Sequence, residues 1–283
     1  MREFTFIVQE KFNNFKTDTF LKESGVSLEI IQKVKYGGVY NGNTLVTNVN
    51  QTVKTGDVIK IILPADTTNE HLKGVKGNID IVYEDEYILA VFKPKGVLTH
   101  KSRYNKSPSI DELVLGYINK PFVFRAINRL DKDTSGILLI AKDALTASML
   151  GEQMKNGNII KTYSAVVVGK PEKEHFIIEK PILKEGDGVK RICSKSGKYA
   201  KSECFFVKEL GCGLSLIDIL LFTGRTHQIR VHLSSVGLPL YADSLYGQEV
   251  ENETYTLHAK SLEFKHPFTG KEIKLNYSLK ELL

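Results

Sequence analysis

From about residue 79 onward the sequence is a succession of short β-rich runs without regular alternation of strand and helix, and this restricts the fold more than any other feature. IDIVYEDEYILAVFKPKG holds two strand-like pieces around a Glu84-Asp85 turn. KTYSAVVVG is a β-branched strand running into Gly169, and Tyr199 to Phe222 is strand-like again, broken by the Gly-Cys-Gly turn at 211–213. Helical signals are few. ASMLGEQMKNG predicts a short helix ending near Gly157, and a second follows Gly224, with Ile229, Val231 and Leu233 as its buried contacts. TIM barrels and Rossmann folds need repeated βα units, so both are disfavoured and one α+β domain is expected over 79–283.

Residues 1–65 read as a separate small α+β unit. Thr5 to Val8 and Val58 to Leu63 are strand-like, and a helical stretch from Thr19 to Val34 is split in two by Gly25 and Ser27. Asn41-Gly42 is a strong turn signal between apolar residues. The polar segment 66–78, ADTTNEHLKGVKG, lacks apolar periodicity and reads as a linker. A chain of 283 residues accommodates this division.

Several function classes fall away on composition. Three cysteines with no CxxC pair argue against a disulfide framework and a zinc knuckle. No GxxxxGK[ST] or complete GxGxxG motif supports a nucleotide cofactor. The N-terminus does not read as a signal peptide, and the longest aliphatic runs are far short of the roughly 20 residues of a membrane span, so a cytoplasmic location is expected. Lys and Arg exceed Asp and Glu by 39 − 33 = 6, a mild excess that permits a polyanionic partner. Part of it is local: Lys184, Lys190, Arg191, Lys195, Lys198 and Lys201 oppose only Glu185 and Asp187 in a loop or hairpin suited to a phosphate backbone or simply to solvent.

Three clusters can carry chemistry. Asn128-Arg129-Leu130-Asp131-Lys132-Asp133-Thr134-Ser135-Gly136 is a polar turn leading into the apolar strand ILLIA, a rigid support from which to display a side chain. Asp131 and Asp133, two apart, do not by spacing form a paired-carboxylate site, and a salt-bridged surface turn is the plain alternative. Thr223 to His232 carries Arg225, His227, Arg230 and His232, with arginine forks suited to carboxylate or phosphate. The five-residue histidine spacing does not match HExxH, so local hydrogen bonds or a polyanion contact outrank a metal. Tyr163, opening a strand, is either a core residue or a stacking platform at a sheet edge.

Together these clusters resemble the RluA-type branch of the RNA pseudouridine synthases. The resemblance rests on NRLDKDTSG at 128–136, KTYSAVV at 161–167 and TGRTHQIRVHL at 223–233. GLPLYADSLYG at 237–247, LHAKSLEFKHPFTG at 257–270 and the lead-in VFKPKGVLTH at 91–100 extend it over most of 79–283. It implies a catalytic domain on a mixed, mainly antiparallel sheet. It also implies Asp131 as the catalytic aspartate, Tyr163 as the active-site tyrosine and Arg230 as the arginine that pairs with the aspartate. Arg129, Arg225 and His227, with Lys190, Arg191 and Lys198 of the basic segment, would hold RNA. The family usually has histidine where this chain has Asn128. Residues 1–65 are similar to the S4-like RNA-binding domain often placed before this catalytic domain, although their helices are light in arginine.

The activity so implied is isomerisation of uridine to pseudouridine in structured RNA, large-subunit ribosomal RNA before transfer RNA, with no cofactor, metal or obligate protein partner. Asp131 would attack the anomeric carbon, remove a ribose proton to give a glycal, or attack the base. Two other classes compete. A noncatalytic RNA-binding or ribosome-assembly protein would bind without isomerising, and a carboxylate-dependent hydrolase would release free base or sugar.

Overall fold

The computed structural model describes residues 1–64, 72–103 and 105–278. The chain begins with strand β1 (Arg2–Ile7), helices α1 (Thr17–Glu23) and α2 (Leu28–Val34), and strands β2 (Val39–Asn41), β3 (Thr44–Leu45) and β4 (Val58–Leu63). These strands form an antiparallel sheet in the order β1-β4-β2-β3. Gly25, at φ +86°, separates the two helices, and Ser27 caps the second by accepting the Ile30 N–H. Phe4, Phe20, Leu21, Ile30, Ile59 and Ile61 make their common core.

The larger part runs β5 (Asp80–Glu84), β6 (Ile88–Lys93), α3 (Ile110–Ile118), β7 (Arg125–Ala126), β8 (Ser135–Ala141), α4 (Ala144–Lys155), β9 (Ile160–Val168), β10 (His175–Glu179), β11 (Ile182–Lys184), β12 (Arg191–Cys193), β13 (Lys201–Gly211), β14 (Leu214–Leu221), α5 (Gln228–Ser234), β15 (Leu257–Lys265) and β16 (Glu272–Asn276). One sheet spans it in the order β10-β13-β14-β9-β15-β8-β6-β5, with β16 beside β15 and β7 beside β8; β11 and β12 form a separate hairpin. Only the β15–β8 contact is parallel among the described pairings, so the sheet is mixed and mainly antiparallel.

Strand β8 is buried at every position, as its continuous SGILLIA run requires of a strand covered on both faces. Its alternate side chains define those faces. Leu138 and Ile140 join Tyr163, Leu257 and α3 residues Ile110 and Val114 in a front core, while Ile137 and Leu139 meet Leu150 of α4 and Phe264 in a back core. The N-terminal core continues into Leu145 and Met149 of α4 and so lies on the back side. Arg2 fastens it there, through Asp143 Oδ2 at 3.0 Å and the Glu86 carbonyl at 2.8 Å.

Of the segment expected to be a linker, residues 66–71 lie outside the described residues. Residues 72–78 carry no regular structure but press on α3, where the Val75 N–H donates to the Glu112 carbonyl at 2.9 Å. A Cβ on Gly116 would stand 2.2 Å from the Val75 oxygen, so only glycine admits that approach.

Candidate active site

The turn before β8 is held from below and behind. Asn128 is buried and its carboxamide is spent on β8: Nδ2 donates to the Ile137 carbonyl at 3.0 Å and Oδ1 accepts the Leu139 N–H at 2.8 Å. The side chain thus serves the strand and is not among the residues that line the cleft described below. Lys93 is wholly buried and donates to the carbonyls of Pro94 (3.0 Å), Val97 (2.7 Å) and Lys132 (2.9 Å). Burial pulls its pKa down to about 8, against the pull of Asp133 and Asp131. Leu130 plugs the front core, and its carbonyl accepts Thr99 Oγ1 at 3.0 Å. Between these anchors the Asp131 carboxylate emerges about one-third exposed.

Opposite it stands α5, short and almost wholly buried. Gln228 fixes its start, accepting Thr223 Oγ1 and the Arg225 N–H and donating to the Lys201 carbonyl. His232 is a structural residue, with Ser202 Oγ on one ring nitrogen and the Lys180 carbonyl on the other, each at 2.9 Å. Burial lowers its pKa.

Arg230 meets two carboxylates, Asp131 and one that the sequence reading does not name. Its Nε and Nη2 form a two-point bridge, 2.7 Å each, to Asp243, a fully buried carboxylate that also accepts the N–H groups of Leu245 and Tyr246. Its Nη1 faces Asp131 Oδ2 at 3.7 Å, a contact of charges without a hydrogen bond. The guanidinium also lies 4.4 Å from the Tyr255 ring centre and 4.9 Å from that of Tyr246. Burial works against the charge on Arg230, but the Asp243 bonds outweigh it and its pKa is raised. The shape of a two-point bridge explains the division: a guanidinium satisfied on one edge presents its remaining nitrogen in a fixed direction.

Asp131, Tyr163, Arg129, Arg225, His227 and Arg230 line one open cleft of about 360 Å³ with Leu130, Leu221 and Leu257. Tyr163 does not sit at a sheet edge. It lies on β9, between β14 and β15, as the 6%-exposed floor of the cleft. Burial and the neighbouring Asp131 raise its pKa, so its hydroxyl stays protonated. Arg129 and Arg225 are exposed, Arg225 with its Nε donating to the Tyr199 carbonyl. The β11–β12 hairpin forms a rim, because the Arg191 N–H donates to Tyr246 Oη and Tyr246 Oη lies 2.9 Å from His227 Nδ1. Lys190 is exposed on that hairpin and Lys198 is exposed after it, bridging back to Ile182; neither they nor Arg191 are among the lining residues.

Larger hollows exist, among them one of about 1410 Å³ between the N-terminal unit and α4. Converging charge, not size, singles out the smaller cleft. Among the described residues no three His, Cys, Asp or Glu side chains gather as a metal-ligand set, and no helix is long and apolar enough to cross a membrane. The sequence reading missed Asp243, Tyr246, Tyr255 and Lys93. LYADSLYG and VFKPKG did carry a signal, an isolated charge inside an apolar or aromatic run, where a charge persists only when paired.

The sequence model of the RNA pseudouridylate synthase family matches residues 87–235, just over half of the chain. An uncharacterized RNA pseudouridine synthase of Bacillus subtilis, YjbO, is 33% identical across 91% of this chain and 93% of its own length. Ribosomal large subunit pseudouridine synthase C of Rickettsia typhi is 34% identical, with 94% of each chain covered. Among solved structures, human RNA pseudouridylate synthase domain containing 1 shares the fold, with a TM-score of 0.61 at 23% identity over 71% of this chain and 84% of that one. The match of family and fold, reached by a chain whose acidic turn, buried tyrosine and arginine helix meet in one cleft, makes this protein a member of the RNA pseudouridine synthase family and an enzyme that acts on RNA.

Proposed function

We propose that the substrate is a uridine of large-subunit ribosomal RNA, with Asp131 reacting at the sugar, Tyr163 beneath the base and Arg230 beside the carboxylate. The observation that carries this reading is that, among the described residues, Asp131 is the one carboxylate lining a cleft whose other charged or titratable residues are Arg129, Arg225, Arg230, His227 and Tyr163. Isomerisation breaks the N1–C1′ bond, turns the uracil in place and joins C5 to C1′. The proton lost at C5 is balanced by the one gained at N1, so no electron or phosphoryl donor enters. Attack at C1′ and removal of the C2′ proton both need a carboxylate beside the anomeric region of a nucleotide turned out of its stack. Extrusion costs a few kcal/mol, and stacking on an aromatic ring returns about 1–3 kcal/mol.

Arg129, Arg225 and His227, with Lys190, Arg191 and Lys198 of the hairpin, hold the flanking RNA in this account, and the N-terminal unit acts as an S4-like second contact. Ribosomal RNA is favoured over transfer RNA by the relative named for the large ribosomal subunit. The test is to map pseudouridines in ribosomal and transfer RNA of a strain lacking the gene, by carbodiimide-dependent reverse-transcription stops. Loss of a site in large-subunit RNA, restored by the wild type and not by Asp131→Asn, is the expected result. Loss confined to transfer RNA would move the substrate there, and an unchanged map would overturn the proposal.

A further inference from the structure

Two polar atoms face each other in the cleft without touching: His227 Nε2 and Asp131 Oδ2 are 3.9 Å apart, beyond hydrogen-bond reach. The state of the imidazole is set from its far side. Tyr246 Oη accepts the Arg191 N–H at 2.8 Å and lies 2.9 Å from His227 Nδ1. With one lone pair of Tyr246 Oη taken by the Arg191 N–H, we assign the hydroxyl proton to Nδ1 and the ring proton to Nε2. Burial lowers the imidazole pKa, Arg230 and Arg191 act in the same sense, and Asp131 and Asp243 oppose them; the ring stays neutral. His227 also keeps a left-handed φ of +57°, rare for a residue with a side chain, and this backbone aims the ring into the cleft.

A donor, Nε2–H, and an acceptor carboxylate therefore flank a space that one oxygen spans, at roughly 2.8 Å from each and with an angle of roughly 90° between the two bonds. A substrate atom that accepts from the first and donates to the second has to be a hydroxyl oxygen. A phosphate oxygen has no proton and is repelled by the carboxylate. Uracil carbonyls only accept, and uracil N3–H only donates. An internal RNA nucleotide carries one hydroxyl, the ribose 2′-OH. We infer that His227 binds the 2′-hydroxyl of the target ribose and holds it against Asp131, making the cleft selective for ribose over deoxyribose. This rests on the reading of Asp131 as the group that meets the sugar.

The test compares single-turnover rates on the mapped RNA and on the same RNA with 2′-deoxyuridine at the target, for wild type, His227→Asn and Tyr246→Phe. Asparagine tolerates the left-handed backbone, and phenylalanine keeps the Tyr246 ring. With a net hydrogen bond worth about 2- to 12-fold, the deoxy penalty is expected to shrink about 5- to 10-fold in His227→Asn and by less in Tyr246→Phe. If the deoxy RNA is unreactive with every enzyme, the ratio of the two RNA affinities gives the same comparison. Should His227→Asn not fold, Tyr246→Phe carries the test. Equal penalties in wild type and variants overturn the assignment and leave the isomerase reading intact. Failure of the wild type to convert the ribose RNA overturns the isomerase reading itself.

Discussion

Replacing Asp243 tests whether Arg230 is aimed by a residue outside the cleft. Asp243 is fully buried and the Arg230 side chain 9% exposed, with two bonds of 2.7 Å between them. Removing one partner of a buried pair strands the other charge, at a cost of about 3–5 kcal/mol. Asp243→Ala belongs at the upper end, because the N–H groups of Leu245 and Tyr246 lose their acceptor as well. At about 2–4 °C per kcal/mol for a chain approaching this size, Tm should fall on the order of 10 °C. Asp243→Asn keeps one acceptor and is expected to lose about half as much.

The released guanidinium has Asp131 as its neighbouring carboxylate, 3.7 Å away. It is expected to swing onto Asp131 and occupy the oxygen needed at the sugar, lowering the single-turnover rate by about 10²–10³-fold, or roughly 3–4 kcal/mol. RNA affinity should change little, since Asp243 is not part of the cleft lining. Thermal unfolding and single-turnover conversion decide the matter. An Asp243→Ala protein that melts within about 2 °C of wild type and reacts at the wild-type rate would refute the reasoning.

Four other substitutions probe the supports of the site and the helix behind it. Lys93 titrates near 8 in the folded protein and near 10.5 unfolded, so between those values the folded chain binds fewer protons and wild-type stability gains with rising pH, by at most about 3 kcal/mol. Lys93→Met removes that slope, and urea titrations at neutral and alkaline pH that show identical profiles for both proteins would contradict it. Gly136 has φ +118° and a Cβ there would stand 2.3 Å from the Ala259 oxygen, so Gly136→Ala should cost more than about 3 kcal/mol or prevent folding. Gly151→Ala, with nothing within 4 Å in the interior of α4, should stabilise by about 0.5–1 kcal/mol in the same denaturation assay. Asn128→Ala should cost about 1–3 kcal/mol by orphaning backbone groups of β8, while RNA affinity measured by filter binding stays at the wild-type level.

Most strands were legible because their side chains report burial directly: β8 and β9 are apolar or β-branched runs, and Gly25, Asn41-Gly42 and Gly211 mark the turns that the backbone needs. Helix α3 was not legible by periodicity. Its start is a polar device, the Ser109 N–H donating to Glu112 Oε2 at 3.0 Å, and the Ser-x-x-Glu spacing was the available sign. Nor does any local pattern predict that β15 lies parallel to β8 across more than 120 residues, since pairing partners are chosen by tertiary packing.

The site divides the same way. Asp131, Tyr163 and Arg230 were found through ordered motifs, and the three do share a cleft. Arg230 does face Asp131, but its two-point partner Asp243 was not foreseen, because charge complementarity in sequence does not show how many carboxylates one arginine meets, and only burial shows which of them must be bonded twice. The function of Asn128 was equally invisible, since a carboxamide bonded to the backbone of the strand that follows its own motif looks in sequence like any polar turn residue.

The account stands on the carboxylate of Asp131 acting at a sugar within intact RNA. Folded wild type and folded Asp131→Asn, incubated with the mapped RNA and followed by nucleoside mass spectrometry, test it most directly. Wild type should yield pseudouridine with RNA mass unchanged and no free uracil, and the variant should be slower by at least about 10³-fold. Conversion by Asp131→Asn at the wild-type rate, or release of uracil by the wild type, would contradict it.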